Sequence, residues 1–249
     1  MNFDYTKIPQ GYYDKILNGQ NGLRKFWHFH KFDSVKRYIP EGHRGQDKSI
    51  LDIGCFAGTF LGLLDKNFFG HQVGIDILPS QIQYAQNQYG TNFRKFLSYD
   101  QNFNEGIGLN QKFDVITLIE VIEHLDPQSI QNLMKFAVNS LSPGGRLIIT
   151  TPNYFSIWPL LEYILNRISD VKYEEQHLTK FSYFSFQNNL TKILVNTPLV
   201  CEKVTTTHFL TPFIAQINYN LALKLSQMIP SAKWNNPFGS IILSCWKMA

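Results

Sequence analysis

The sequence lacks the features that mark secreted, membrane-spanning and cysteine-rich metal proteins. Only three cysteines, Cys55, Cys201 and Cys245, occur in 249 residues, and their spacing fits neither a disulfide framework nor a cysteine metal site. No apolar run reaches the roughly 18 residues that a membrane-spanning helix needs. The polar start MNFDYTKIPQ does not resemble a signal peptide. We therefore expect a cytoplasmic chain in a reducing compartment.

Charge of either sign is also sparse. Charged residues make up 17% of the chain, and the formal net charge is +4, with the lysines and arginines scattered along the sequence. A nucleic-acid-binding protein more often carries a dense basic face, so we expect no nucleic-acid partner. Hydrophobic residues make up 44%, and no repeat or low-complexity run is visible, which predicts one sizeable globular domain.

The sequence does contain an alternation of short apolar runs with helical patterns, beginning near residue 49. The predicted strands cover residues 49–54, 71–77, 92–100, 112–120, 145–152, 199–209 and 239–248. The predicted helices cover residues 58–69, 79–90, 127–141 and about 182–195. Strands that alternate with helices at this spacing predict βαβ units and an α/β fold built on a parallel sheet.

Three stretches fall outside this alternation. Residues 1–46 are expected to form an N-terminal helical cap over the sheet, and residues 47–249 the main domain. Residues 153–180 and 209–237 are interpreted as insertions at strand ends, where substrate pockets are commonly built. Cap side chains that would cover a ligand, with core or surface packing as the alternative, are Tyr12, Tyr13, Trp27 and His28.

A glycine-containing turn follows the first predicted strand, in LDIGCFAGTF. Gly54 and Gly58 permit a tight turn and close approach of a ligand to the backbone, and Asp52 ends the strand with a carboxylate. The dinucleotide pattern G-x-G-x-x-G is not matched, because Phe56 and Thr59 stand at two of its positions. Ligands of such sheets bind beyond the carboxyl ends of the strands, so this turn marks the expected site.

The spacing D-x-G-x-x-x-G resembles motif I of class I S-adenosylmethionine (SAM)-dependent methyltransferases, although many members have a glycine at the position of Phe56. Four further stretches match the family in order: GIDIL, LSYD, FDVITLIEVIEHL and LSPGGRLIITTPN. The resemblance implies a Rossmann-like doubly wound sheet of seven strands, with an N-terminal helical cover and helical insertions near the acceptor site. It also implies an enzyme that uses SAM.

Several residues in these motifs are candidates for contact with SAM. Asp76 ends the second strand, where an acid can accept both ribose hydroxyls or, alternatively, cap the following helix. The resemblance places Asp100 at the adenine amino group and Tyr99 beside the ring. Asp52 either orients the glycine loop or lies near the methionine ammonium. The full candidate set is Asp52, Gly54, Cys55, Gly58, Asp76, Ile77, Tyr99, Asp100 and Ile119.

The stretch IEVIEHLDP, residues 119–127, follows the fourth strand and holds two acids and a histidine. It most resembles the subgroup containing the ubiquinone-biosynthesis O-methyltransferases. The small-RNA 3′-terminal ribose methyltransferases share its E-x-x-E-H arrangement and hold a divalent metal there with a later histidine. The resemblance implies catalytic residues and ligands for Mg²⁺, Mn²⁺, Fe²⁺ or Zn²⁺. The four candidates are Glu120, Glu123, His124 and His177.

Three roles stay open for this cluster at the level of sequence. A metal would lower the pKa of an acceptor hydroxyl and fix its oxygen in line with the methyl group. Without a metal, His124 or His177 would act as a general base. The third role is structural or orienting, because Asp126 and Pro127 resemble the N-cap and first residue of the next helix.

The expected reaction is methyl transfer to an oxygen of a small-molecule, lipid or glycan intermediate. The alternatives are N-methyl or aminopropyl transfer and a non-catalytic SAM-binding subunit. Residues 213–229 predict an amphipathic helix that packs on the domain or on a second subunit, or makes peripheral contact with a membrane. Aromatic residues that would line a pocket for a ring or lipid chain, if they do not pack in the core, are Tyr154, Trp158 and Tyr163.

Overall fold

The computed structural model describes residues 8–19, 22–99, 111–168, 176–194, 197–228 and 236–249. Its strands are β1 Gly45–Ile53, β2 Phe69–Asp76, β3 Arg94–Ser98, β4 Phe113–Ile119, β5 Leu141–Pro152, β6 Leu199–Thr207 and β7 Ile241–Met248. Its helices are α1 Tyr12–Leu17, α2 Gly22–Tyr38, α3 Thr59–Gly62, α4 Pro79–Tyr89, α5 Pro127–Ser140, α6 Trp158–Ile168, α7 Tyr183–Ile193, α8 Thr211–Ile217 and α9 Tyr219–Met228.

The seven strands form one sheet in the order β3-β2-β1-β4-β5-β7-β6. The first five strands pair in parallel, and β7 is antiparallel to both of its neighbours. The strand order reverses between β1 and β4, so the carboxyl ends of these two strands flank the crevice where such sheets bind ligands. This arrangement confirms the predicted Rossmann-like fold.

Both faces of the sheet are covered, as the continuous apolar strands predict. On one face, Leu51 of β1 packs in a buried cluster with Leu133 of α5. On the other face, the neighbouring Ile50 packs with Val35 and Ile39 from the N-terminal segment. The N-terminal segment therefore shares a hydrophobic core with the sheet that it covers.

The helix predicted over residues 58–69 is wrong, because it is too long. The helix α3 covers only four residues, and β2 already begins at Phe69. The carboxylate of Asp65 accepts hydrogen bonds from the backbone N–H groups of Asn67 and Phe68, at 2.8 and 2.9 Å. An aspartate bonded to the backbone two residues ahead stabilises a turn, and here it replaces the last turns of the helix.

The single amphipathic helix predicted over residues 213–229 is also wrong. Asn218 adopts an extended conformation between α8 and α9, and its side-chain oxygen accepts the N–H of Leu221 at 3.0 Å. The buried contacts of this pair come from Ala215 and Ala222, which pack against Phe26 of α2. Of the predicted apolar stripe, Ile217 is 91% exposed, so the stripe does not form one buried face.

A buried acid in α1, Asp14, joins this helix to α3 and α4. One carboxylate oxygen of Asp14 accepts the hydroxyl of Thr59, which directly follows the glycine turn, and the other accepts the hydroxyl of Tyr84 in α4, each at 2.8 Å. The N-terminal cover is thereby held at the carboxyl ends of β1 and β2. In the described part of the chain, no helix is long and apolar enough to cross a membrane.

Candidate active site

The turn after β1 is built from left-handed backbone. Gly54, Phe56 and Gly58 have φ values of 74°, 50° and 74°. A Cβ on Gly54 would lie 2.5 Å from a methyl group of Val121, so the turn after β1 touches the turn after β4. A non-glycine residue in this conformation costs about 1–3 kcal/mol, and such strain concentrates at functional sites. Phe56 carries that strain here.

The carboxylate of Asp76, at the end of β2, holds this turn in place. One of its oxygens accepts the N–H of Phe56, and the other accepts the N–H of Leu78, each at 2.9 Å. Burial raises the pKa of Asp76, although these backbone hydrogen bonds oppose the rise. Asp76 therefore links the glycine turn to the start of α4, and its carboxylate retains lone pairs for a ligand hydroxyl.

Asp52 lies underneath the turn and is 2% exposed. Its carboxyl accepts the hydroxyl of Thr117 of β4 at 2.6 Å, and burial raises its pKa to about 7. Further along the turn, Gly54 and Cys55 donate their N–H groups to the carbonyl of Ile75, at 2.8 and 3.0 Å. Asp52 and Cys55 thus lie behind the turn, where the loop-orienting role of Asp52 fits its contacts.

The remaining candidate cofactor residues lie along the same edge of the sheet. Ile77 and Tyr99 are half-buried, and the N–H of Tyr99 donates to the carbonyl of Asp76 at 3.1 Å. Ile119 is the half-buried last residue of β4. Asp100, the candidate for the adenine amino group, lies outside the described residues. These positions place Ile77, Tyr99 and Ile119 around the crevice.

Glu120 is also strained, with φ of 55°, and its N–H donates to the carbonyl oxygen and the hydroxyl of Thr150, each at 3.1 Å. Its carboxylate accepts a hydrogen bond from the ammonium of Lys31 in α2. Lys31 is 2% exposed and lies 5.1 Å from the centre of the Tyr13 ring, which in turn packs on Phe56. The N-terminal cover therefore places a buried cation and an aromatic ring directly against the acidic turn.

Glu123 and His124 belong to the short 3₁₀ turn Ile122–His124. Glu123 is 1% exposed, and its carboxylate accepts the hydroxyl of Thr151 at 3.0 Å. Burial raises the pKa of Glu123, and burial lowers the pKa of His124 to about 4. At neutral pH the imidazole of His124 is therefore uncharged, with its Nε2 atom 4.0 Å from an oxygen of Glu123.

The loop before α7 brings His177 to the same place. His124 Nδ1 lies 3.0 Å from the carbonyl oxygen of Gln176, and the N–H of Thr179 donates to the carbonyl of Glu123 at 3.0 Å. The hydroxyl of Thr179 also donates to the carbonyl of Leu125 at 2.6 Å. These bonds fix the loop on the turn after β4, so that the rings of His124 and His177 lie 5.2 Å apart.

His177 has a carboxylate and a phenol as neighbours. Its Nδ1 atom lies 2.7 Å from Glu162 Oε1 and 2.9 Å from the hydroxyl of Tyr154, which donates to Glu162 at 2.8 Å. Burial alone would lower the pKa of His177, but Glu162 and the nearby Glu123 outweigh burial and raise it. Burial alone would raise the pKa of Glu162, but the hydrogen bonds from His177 and Tyr154 lower it.

Three of the four predicted metal ligands converge. Among the described residues, Glu123, His124 and His177 each place a potential ligand atom within 4.8 Å of the others. Glu120 does not join this cluster, because its carboxylate is bonded to Lys31. The four-ligand arrangement expected from the sequence is therefore not assembled. One carboxylate and two imidazoles still form a donor set that suits a divalent ion.

Two residues of this site were not identified from the sequence. Lys31 lies in a helix whose polar and apolar residues follow no clear period, and its partner is 89 positions away. The burial of Glu162 could have been predicted from the sequence. It is the only acid in α6, and it lies four residues after the buried Trp158, on the same helical face. Tyr154, interpreted from the sequence as a pocket or core residue, also donates a hydrogen bond to Glu162.

Comparison with known proteins assigns this chain to a family. A model described as a methyltransferase domain matches residues 26–194, more than half of the chain. The ubiquinone biosynthesis O-methyltransferase of Rickettsia bellii (strain OSU 85-389) is 26% identical over 211 residues, which cover 80% of this chain and 81% of that protein.

Solved structures show the same fold. Magnesium protoporphyrin IX methyltransferase from Synechocystis PCC 6803, with bound S-adenosylhomocysteine (SAH), aligns with a TM-score of 0.61 and 16% identity, over 95% of this chain and 93% of that one. The N-methyltransferase NodS from Bradyrhizobium japonicum WM9, in complex with SAH, aligns with a TM-score of 0.57 and 16% identity, over 95% and 96%.

The fold and the site together define a class I SAM-dependent methyltransferase. The chain belongs to the methyltransferase-domain family whose model it matches, and it is an enzyme that uses SAM as its methyl donor. The glycine turn, Asp76 and the acid-histidine cluster lie at one edge of the sheet, where this class of fold binds its ligands.

Proposed function

We propose that this enzyme methylates a hydroxyl oxygen of a small-molecule acceptor. The convergence of Glu123, His124 and His177 on one point carries this proposal. The cluster lies at the carboxyl end of β4, and the neighbouring Val121 contacts the glycine turn. Methyl donor and acceptor would therefore meet between these two turns.

A hydroxyl is a poor nucleophile until its proton is removed. An uncharged imidazole accepts a proton through the ring nitrogen that bears the lone pair, which is Nε2 when Nδ1 carries hydrogen. The acceptor O–H bond gives its proton to this base, the oxygen forms a bond to the methyl carbon, and the S–CH₃ bond breaks. The products are a methyl ether, SAH and a protonated base. His177 is the preferred base, because its contact with carboxylates stabilises the protonated ring.

A divalent ion is a second way to activate the hydroxyl, and the donor set favours it. The Nδ1 atoms of His124 and His177 each face an acceptor, the carbonyl of Gln176 and the carboxylate of Glu162. Histidines that bind metals characteristically use one nitrogen in this way and the other for the ion. Glu123, His124 and His177 would hold the ion, which would lower the pKa of a bound hydroxyl.

The named relatives support oxygen as the atom that is methylated. The ubiquinone biosynthesis enzyme is an O-methyltransferase by name, and its similarity extends over most of both chains. The N-methyltransferase NodS shares only the fold at 16% identity, so it gives no comparable support for nitrogen.

The test is a panel of acceptors incubated with methyl-labelled SAM. Each acceptor is offered as a catechol, as the matching phenol with one hydroxyl, and as the matching amine, with and without Mg²⁺ or Mn²⁺. We expect label in the catechol, and about 10²–10⁴-fold slower transfer by His177→Ala. Equal transfer to the amine, or an unaffected His177→Ala variant, would contradict the proposal. Stimulation by metal that is lost in Glu123→Gln would select the metal-assisted form.

A further inference from the structure

Helix α6, which lies in an insertion outside the sheet, contributes a buried carboxylate to the acceptor side of the site. Glu162 is 5% exposed, and the side chain of His177 that it meets is 4% exposed. An acid of this burial needs hydrogen-bond donors, and among the described residues Glu162 has the ring of His177 and the hydroxyl of Tyr154. Hydrogen-bond contacts thus join the side chains of Glu162, Tyr154 and His177 to one another.

The donor and acceptor roles within this group are set by chemistry. A carboxylate only accepts hydrogen bonds, so both of its partners must donate to it. Tyr154 has one proton, which it donates to Glu162 at 2.8 Å, and the Nδ1 atom of His177 donates at 2.7 Å. In the uncharged ring of His177 the hydrogen is therefore on Nδ1, and the lone pair is on Nε2.

From this we infer that Glu162 is a positioning residue for methyl transfer, which fixes the tautomer and orientation of His177 so that Nε2 serves the acceptor. Tyr154 supports the carboxylate from its other side. The inference rests on the proposed function for the role of His177, but the tautomer itself is independent of any reaction. Helix α6 thus contributes a side chain to the site through Glu162.

The test combines a spectroscopic signature with kinetics on the full chain. Two-bond proton–nitrogen spectra of ¹⁵N-histidine-labelled protein report which ring nitrogen carries hydrogen, and a His177→Gln variant assigns the signal. At a pH above the pKa of His177, where the ring is uncharged, we expect the Nδ1–H form in the wild type and in Tyr154→Phe. In Glu162→Gln the amide can also donate, so we expect a mixture of tautomers.

Kinetic constants complete the test. We expect Glu162→Gln to lower kcat about 10–100-fold, the range for loss of such a supporting partner, with the KM for SAM unchanged. Glu202→Gln is the matched control, because Glu202 pairs with Arg146 on β5 and lies in β6 at the sheet edge, and it should change neither readout. Thermal unfolding and circular dichroism confirm that each variant is folded.

The possible outcomes separate the two proposals. Wild-type His177 with hydrogen on Nε2, or a Glu162→Gln variant with the wild-type tautomer and kcat, would overturn the positioning role. If the tautomer changes as expected but the wild type transfers no methyl group to any hydroxyl, the proposed function fails and the hydrogen-bond assignment stands. If Glu162→Gln does not fold, Glu162→Asp replaces it, and an unchanged tautomer together with an unchanged kcat in that variant would contradict the inference.

Discussion

The ammonium of Lys31 donates a hydrogen bond to the carboxylate of Glu120, joining the second helix of the N-terminal cover to the residue that follows β4. Both partners are largely withdrawn from water, with side chains 2% and 17% exposed. This pair explains why Glu120 stands apart from the acid-histidine cluster. It also means that the cover contributes a charged group to the site as well as shielding it.

Removal of the Lys31 ammonium should therefore lower the stability of the fold. We predict that Lys31→Met lowers the free energy of unfolding by about 3–5 kcal/mol, because it leaves the carboxylate of Glu120 partly buried without its partner. Urea denaturation measures this loss. The double variant Lys31→Met/Glu120→Gln should recover much of it, since no buried charge is then left unpaired.

Arg37→Met provides the control for that variant. Arg37 pairs with Asp33 one helical turn away at 2.8 Å, but both side chains are about one third exposed. Loss of such a surface pair costs about 0–1 kcal/mol. Equal losses of stability in Lys31→Met and Arg37→Met would mean that the Lys31–Glu120 pair is not a buried interaction in solution.

A second prediction concerns the crowded glycine of the first turn. Gly54→Ala should lower the free energy of unfolding and weaken SAM binding, because the new methyl group would meet Val121 at 2.5 Å. Gly144→Ala is the matched comparison, since Gly144 has φ of 72° but a methyl group added there would have nothing within 4 Å. The φ strain is shared, so the difference, about 1–3 kcal/mol for overpacking, measures the crowding alone. Equal effects in the two variants would contradict the described contact.

Asp76 gives a third prediction, on cofactor affinity. Asp76→Asn should weaken SAM binding about 10–100-fold, because the charged acceptor of the Phe56 and Leu78 N–H groups is lost, together with the acceptor that we expect for the ribose hydroxyls. Isothermal titration calorimetry with SAM and with SAH measures the change. Asp65→Asn removes a carboxylate that also accepts two backbone N–H groups, but in an exposed turn, and should leave affinity unchanged.

Asp52 leads to a prediction about pH. Its folded-state pKa is raised to about 7 by burial, whereas an aspartate in the unfolded chain titrates near 4. Between these values the folded chain keeps a proton that the unfolded chain has lost. The contribution of Asp52 to stability therefore falls as pH rises, by up to about 1.4 kcal/mol per pH unit.

The measurement compares Asp52→Asn with the wild type by urea denaturation from pH 4 to pH 8. The amide can still accept the hydroxyl of Thr117 and does not titrate, so the variant should gain stability relative to the wild type as pH rises through this window. Asp47→Asn changes an aspartate that is 80% exposed and should show no such trend. A constant difference between Asp52→Asn and the wild type would show that Asp52 titrates normally.

The sequence predicted the fold well because its signals are local. The apolar runs and the glycine turn each lie within a few residues, and the order of the motifs along the chain matches that of a known family with a seven-stranded sheet. The helix over 58–69 was predicted too long because its apolar residues continue past Gly62. The helix ends at Gly62, where Tyr89 packs so closely that a side chain would collide with its ring, and the turn built by Asp65 follows.

The candidate site was predicted only in part, for a physical reason. Glu123 and His124 lie in one motif, and His177 was found by resemblance. Lys31 and Glu162 act through contacts that span 89 and 15 positions of the chain, and both are charged residues in helices, where exposure to solvent is the usual outcome. These two charged side chains are buried because the N-terminal cover and α6 pack against the rest of the domain.

The membrane contact proposed for residues 213–229 stays a prediction. The exposed side chains of Ile217 and Leu221 are the ones that would enter a lipid surface. Sedimentation with anionic vesicles tests it, since Ile217→Ser/Leu221→Ser should remove any binding that the wild type shows.

The most direct test of the central claim is ¹³C NMR of the product formed from SAM labelled in its methyl carbon. We predict a methyl ether signal from a catechol acceptor with the wild type, and at least about 100-fold less of it with His177→Ala, which lacks the proposed base. A label found on nitrogen or carbon, or an ether formed as rapidly without His177, would contradict hydroxyl methylation at the cluster of Glu123, His124 and His177.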